Sequence, residues 1–260
     1  MMTTCHMAVL RCQETSTTSL AHFDGTYVHE GAAEMVKSII NIRESTRAEN
    51  NEVNIDLHLL GGFDDDRELS VKLSTDLLQA FHSIQVDGHT ISLHLRTFCC
   101  TSLNTRHTTK RGAEISLPII YGAAVELKTG QIYPVAFDEQ ARAPMCDMRG
   151  AKSLNSQNNK MCNIYKWRSE RVVIPAFTFA PFPAAHEWLE QSDAFIRKHM
   201  STSPTAEPLN FASHIRESLC FIVAHPEPME SVFKSNHELQ YALQDGKWML
   251  TWVKSCCFGL

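Results

Sequence analysis

Cys5 stands in Thr3-Thr4-Cys5-His6, and His22 follows in Leu20-Ala21-His22-Phe23-Asp24-Gly25-Thr26. A thiol beside an imidazole can give up its proton and act as a nucleophile at neutral pH. Whether these two meet depends on what lies between them. Residues 6–11 alternate as a short strand, residues 15–19 are a polar Ser/Thr loop, and residues 20–23 read as a partner strand ending at Asp24-Gly25. If the two strands pair as a hairpin, Cys5 and His22 come together at one end of a sheet. The pair is one choice among nine cysteines and 13 histidines, and a buried thiol near a hydrogen-bonded loop histidine would look the same. No C-x-x-C or H-E-x-x-H occurs, so no zinc site is indicated. Cys99-Cys100 ends a strand and reads as packing.

The elements around the pair follow from periodicity. Met35, Val36, Ile39, Ile40 and Ile42 recur at helical spacing within residues 31–43. Val53, Ile55, Leu57, Leu59 and Leu60 form a strand that stops at Gly61-Gly62. Asp64, Asp65 and Asp66 then stand where helix caps and first-turn acids belong. Leu69, Leu73, Leu77, Leu78 and Phe81 give the buried stripe of the next helix. Residues 91–100 read as a strand, and residues 115–127 and 131–137 flank the hairpin turn Lys128-Thr129-Gly130. Residues 171–179 read as a further strand, and residues 184–199 and 208–224 as helices. Strands interleaved with helices imply an α/β or α+β fold built on a mixed sheet with flanking helices. Residues 1–240 are grouped as a single domain, with 138–170 a weakly patterned insertion of low order without a core of its own. Residues 241–260, carrying Trp248, Trp252, Cys256 and Cys257, form a tail with no assigned role.

Composition narrows the function. The chain has 260 residues, 43% hydrophobic and 20% charged, which suits a globular protein. A net charge of -5 and a pI near 6.2, with Lys and Arg scattered, give no electrostatic footprint for nucleic acid or an anionic membrane. The most apolar segment, Val172 to Ala185, is interrupted by Pro175, Pro181 and Pro183, so no stretch spans a bilayer. The start lacks the pattern of a secretory signal. Nine irregularly spaced cysteines read as free thiols of a reducing compartment, the cytoplasm or nucleus.

Six stretches carry a resemblance: TTCHMAVLR, LAHFDGTY, LHLLGGFDDDRELSVKL, PIIYGAAVELKTGQIYPVAF, PFP and STSPTAEPLNFASHIRESLCF. In this order they resemble the protein N-terminal asparagine amidohydrolase family over most of residues 3–233, with a poor fit between about 138 and 170. The Cys-to-His interval and the Gly-Gly after a central strand are also similar to the receptor glutamine deamidases of bacterial chemotaxis. The resemblance implies a Cys-His deamidase-like sandwich and a monomeric cytosolic enzyme without a cofactor. Its partners would be proteins or peptides with an exposed N-terminal Asn, which it converts to Asp for arginylation and degradation. Cys5 matches the family's nucleophile and His22 its candidate base.

For that reaction the Cys5 thiolate would attack the side-chain carboxamide, and His22 would protonate the departing ammonia and then activate water. Backbone N–H groups near Cys5 and Gly61-Gly62 are candidate oxyanion donors, since glycine lets backbone approach a ligand. A tight strand-to-helix turn explains Gly61-Gly62 equally well. Asp65 and Asp66 are candidates for the substrate's α-ammonium, with ordinary helix capping as the alternative.

The family carries a substantial segment before its nucleophile, whereas Cys5 stands almost at the start of this chain. The strands it would supply must either be replaced or leave an exposed sheet edge, and the expectation is a truncated or alternatively spliced form with impaired activity. Two rival functions stay open: a shortened, non-catalytic relative that binds N-terminal segments, and a deamidase of internal Gln or Asn in a protein partner.

Overall fold

The computed structural model describes residues 2–46, 51–110, 112–137, 144–155 and 160–251. Its contacts gather the chain into two compact units, Met1–Phe137 with Thr202–Glu207, and Asp138–Ser201 with Pro208–Leu260. Both mix strands and helices, so the fold is α+β.

The first unit is built on β1 (His6–Cys12), β2 (Thr18–Phe23), α1 (Val28–Ser45), β3 (Glu52–Gly61), α2 (Leu69–His82) and β4 (Thr90–Cys100). The sheet order is β2-β1-β3-β4; β1 is antiparallel to both neighbours and β3 runs parallel to β4. The parallel pair needs a crossover, which α2 provides. Strand residues alternate between faces, so His6, Ala8 and Leu10 point one way and Met7 and Val9 the other. Helices α1 and α2 cover the first face: both pack on β1, and α1 inserts Met35, Val36, Ile39 and Ile40, all buried. Phe23 of β2 meets Phe81 of α2 edge to face, with ring centroids 6.4 Å apart.

The other face of the sheet is layered by further strands. After β5 (Thr105–Lys110) and β6 (Ala113–Pro118) come β7 (Ala123–Val125) and β8 (Ile132–Pro134). Met7, Val9 and Leu60 pack there with Ala123, Val125 and Ile132. The expected hairpin around Lys128-Thr129-Gly130 is present but short, because β6 pairs with β5 rather than continuing into it. Pro118 ends β6, and the side chain of Asn104 takes the N–H of Ile120 at 2.8 Å. The polar sequence of β5 (TRHTTK) carries no alternation, so periodicity misses it.

The second unit contains α3 (Cys146–Asn155), β9 (Tyr165–Lys166), β10 (Arg171–Ile174), α4 (Ala185–Leu189), α5 (Asp193–Met200), α6 (Phe211–Ala224), α7 (Pro228–Ser231), β11 (Leu239–Gln244) and β12 (Lys247–Thr251). Its four strands run in the order β12-β11-β10-β9, all antiparallel. Residues 138–170, read from sequence as an insertion of low order, supply α3, whose Met148 and Ala151 are fully buried in this unit's core. Those two residues make too narrow a stripe to be read from pattern; the partners Leu219 and Phe221 come from distant sequence. β10 stops at Ile174 because Pro175 follows, short of the expected 179. The single helix expected over 184–199 is two, since Ser192 caps α5 by accepting from the N–H of Phe195 at 3.2 Å. Residues 239–251, which reach into the expected tail, form a hairpin turning at Asp245-Gly246, both with positive φ (50° and 76°). Trp252, Cys256 and Cys257 lie outside the described residues. Among the described residues no helix is long and apolar enough to cross a membrane.

Candidate functional site

Cys5 is half-buried and stands one residue ahead of β1. In the β1–β2 register His6 faces Phe23 and Met7 faces His22, so the next position outward sets Cys5 against Asp24. Cys5, Met7, His22 and Asp24 therefore share one face of the sheet. Cys5 and His22 are diagonal across the pair, a spacing of about 7–8 Å between backbones that an imidazole can span. The hairpin expected from sequence forms, and its register puts the two on one face at the sheet's end. His22 and Asp24 are exposed.

The backbone on either side of Cys5 is held in three ways. Its carbonyl accepts a hydrogen bond from the N–H of Gly62 at 2.9 Å. The Thr4 and Thr202 hydroxyls lie 2.8 Å apart in a hydrogen bond, and the Thr3 hydroxyl donates to Oε1 of Glu207 at 3.4 Å. Residues 202–207 belong to the same unit as Cys5, so Glu207 is brought beside the start of β1 by the fold.

Gly61 and Gly62 have φ of 113° and 64°. A Cβ on Gly61 would lie 2.6 Å from the Cys5 carbonyl oxygen, and one on Gly62 would overlap Cε1 of His6. The turn is glycine because Cys5 and His6 press on it from β1. The N–H of Gly62 is thereby committed to Cys5, and the Gly62 carbonyl accepts from Nδ2 of Asn104 at 2.7 Å. Asp65 has its carboxylate turned to the helix: Oδ1 accepts from the N–H groups of Arg67 and Leu69, each at 3.1 Å, and Oδ2 from that of Ser70 at 2.8 Å. Of the two roles open to Asp65, capping is the one its hydrogen bonds display. Asp66 is exposed on the same loop.

Electrostatics set the protonation of the pair. Burial pushes the Cys5 thiol up to about 12, and the negative charges of Asp24 and Glu207 push in the same direction. The resting thiol therefore keeps its proton at neutral pH, which proximity to an imidazole alone did not suggest. His6 goes the other way: burial holds it down to about 4, opposed by the Thr4 backbone and reinforced by the charge of His22.

A family model described as protein N-terminal asparagine amidohydrolase matches residues 1–250. The chain belongs to this family. It is 38% identical over 247 residues to the human protein N-terminal asparagine amidohydrolase, a match covering 95% of this chain and 74% of the relative. The same figures hold for the Sus scrofa relative. The Arabidopsis thaliana relative of that name is 24% identical over 271 residues, covering 95% of this chain and 73% of its own length. Membership makes the chain a hydrolase. Within the amidohydrolase frame, the residues that sequence reasoning passed over are His6, Ser74, Asn104, Asp24 and Glu207. Asp24 was within reach, two residues beyond His22 on the same face. Glu207 carried no signal, being 204 residues from its partner Thr3.

Proposed function

We propose that this chain hydrolyses the side-chain amide of an N-terminal asparagine to give N-terminal aspartate and ammonia, with Cys5 as nucleophile and His22 as acid and base. The observation that carries the reading is the β1–β2 register, which sets Cys5, His22 and Asp24 on one face at the end of the sheet.

The cycle runs through a thioester. The Cys5 proton passes to His22 as the sulfur bonds to the carboxamide carbon of the substrate. The carbon–nitrogen bond then breaks, and ammonia leaves with the proton that His22 returns. Water loses a proton to His22 and attacks the thioester. The carbon–sulfur bond breaks, His22 returns its proton to the sulfur to restore the thiol, and the acid product releases its own proton to solvent and leaves as a carboxylate. With the Gly62 N–H engaged by Cys5, the turn at Gly61-Gly62 serves as the support of the nucleophile's backbone rather than as the oxyanion donor.

Asp24 and Glu207, rather than Asp65 and Asp66, receive the substrate's α-ammonium. Both raise the Cys5 thiol in the resting enzyme, and a cation seated against them cancels that effect. Binding of a free N-terminus thus eases the proton transfer it needs, and a blocked one does not. This supplies selectivity for N-terminal over internal amides. The aspartate product feeds N-degron-dependent degradation in the cytoplasm or nucleus.

The test is incubation of the purified chain with peptides beginning Asn, Gln or acetyl-Asn, read by mass spectrometry. Conversion of the free Asn peptide alone, abolished in Cys5→Ala, is the expected result. Conversion of acetyl-Asn at an equal rate would move the function to internal amides. Tight binding of the Asn peptide without conversion, in folded protein, would leave a binding module.

A further inference from the structure

His6 follows the nucleophile in sequence yet points to the opposite face of the sheet, away from His22 and Asp24. It is fully buried, and its Nε2 shares a hydrogen bond of 2.7 Å with Oγ of Ser74 on α2. Its ring lies directly against Gly62: a Cβ there would overlap Cε1 of His6 and stand 3.0 Å from its Nε2. Gly62 in turn donates its N–H to the carbonyl of Cys5 at 2.9 Å. Ser70, one turn before Ser74, accepts from the N–H of Phe63 at 3.2 Å, so α2 grips both sides of the same turn.

We propose that His6 is a positioning residue for the reaction at Cys5, a strut braced on Ser74 that presses Gly62 into place and so fixes the backbone carrying the thiol. The inference rests on Cys5 being the nucleophile. A sulfur attacking a carboxamide carbon needs alignment within a fraction of an ångström, and small misplacements are costly in rate. A strut on the far face controls that placement without touching substrate. An uncharged ring suits the role, because its position does not change with pH across the neutral range; burial keeps it uncharged.

Ser74→Ala removes the hydrogen bond with little change of volume, and His6→Phe keeps the ring while losing Nε2. His6→Gln carries a nitrogen back toward Ser74. Each variant is measured for kcat and KM on an Asn-initiated peptide. The rate of iodoacetamide labelling at Cys5 is followed alongside, by mass spectrometry of the peptide that contains it, with thermal unfolding as the check on folding. The expected result is a fall in kcat of about tenfold or more in Ser74→Ala and His6→Phe with KM within about twofold, and partial recovery in His6→Gln. Labelling at Cys5 changes in the same two variants and returns toward wild type in His6→Gln. Folded Ser74→Ala with unchanged kcat and unchanged labelling overturns the proposal, as does a rise in KM alone. If wild-type protein releases no ammonia, the reading of function fails, and the labelling rates still decide whether His6 places Cys5. Ser74→Ala leaves one buried nitrogen of His6 without its partner but keeps the ring in place, so it remains informative even where His6→Phe does not fold.

Discussion

The two units bury different kinds of side chain. The buried polar residues Thr3, Thr4, His6, Arg43, Ser70, Ser74, Asn104 and Ser203 all belong to the first unit, and the second holds only Ser218 among those described. The second unit is closed instead by aromatic rings: Phe177 meets Phe179 at 5.2 Å and Phe233 at 5.1 Å, and Phe179 meets Phe221 at 6.2 Å, all edge to face. Apolar packing is non-directional and tolerates rearrangement of shape, whereas a buried hydrogen bond fixes distance and angle and is costly to leave unmade. Most of the first unit's buried polar groups cluster around Cys5, Gly62 and the start of α2. The difference teaches where geometry is specified and where volume is merely filled.

The largest effect that tests this contrast is in the aromatic core. Phe233 is fully buried, and Phe233→Ala is expected to cost about 3–5 kcal/mol. Denaturant unfolding measures the loss, while the folded fraction keeps its deamidation rate. A rate that falls in protein shown to be folded would mean that the aromatic unit also places catalytic groups.

Next in size is Asn104→Ala. Asn104 ties the Gly62 carbonyl to the N–H of Ile120, and its loss leaves a buried carbonyl and a part-buried N–H without that partner, a cost of about 3 kcal/mol. Unlike Phe233→Ala, it should lower kcat in the folded enzyme, because the turn beneath Cys5 loosens. Equal loss of stability with kcat intact would erase the distinction between the two cores.

The smallest is a pH effect confined to the first unit. His6 titrates near 4 when folded against 6.5 for the free side chain. The unfolded chain therefore takes up the proton first as the pH falls. This contribution is complete above about pH 6.5 and is lost progressively toward pH 4. At pH 5 the loss is on the order of 2 kcal/mol. Hydrogen exchange should show amides of β1 and β3 losing protection on acidification, with the dependence reduced in His6→Gln. None of the described histidines of the second unit is buried, so an equal acid response there would break the comparison.

Much of the first unit was legible because its elements are strongly periodic. β1, β3, α1 and α2 fall within a few residues of where alternation and helical spacing put them. The polar strand β5 and the narrow stripe of α3 were not, since neither shows a hydrophobic period long enough to read. The hairpin of β11 and β12 leaves one local sign in the sequence, the turn pair Asp245-Gly246.

The sequence alone determined that a thiol and an imidazole flank one antiparallel hairpin, and that a diglycine turn follows the central strand. Strand alternation and turn chemistry are local, and local rules suffice for both. Tertiary structure decided what those residues touch. It gave the Asp65 carboxylate to the amides of α2, brought Glu207 across 204 residues to the side of Thr3, and set His6 beneath Gly62. It also decided that the resting Cys5 keeps its proton, because desolvation and the placement of distant charges are properties of the packed molecule and have no counterpart in spacing along the chain.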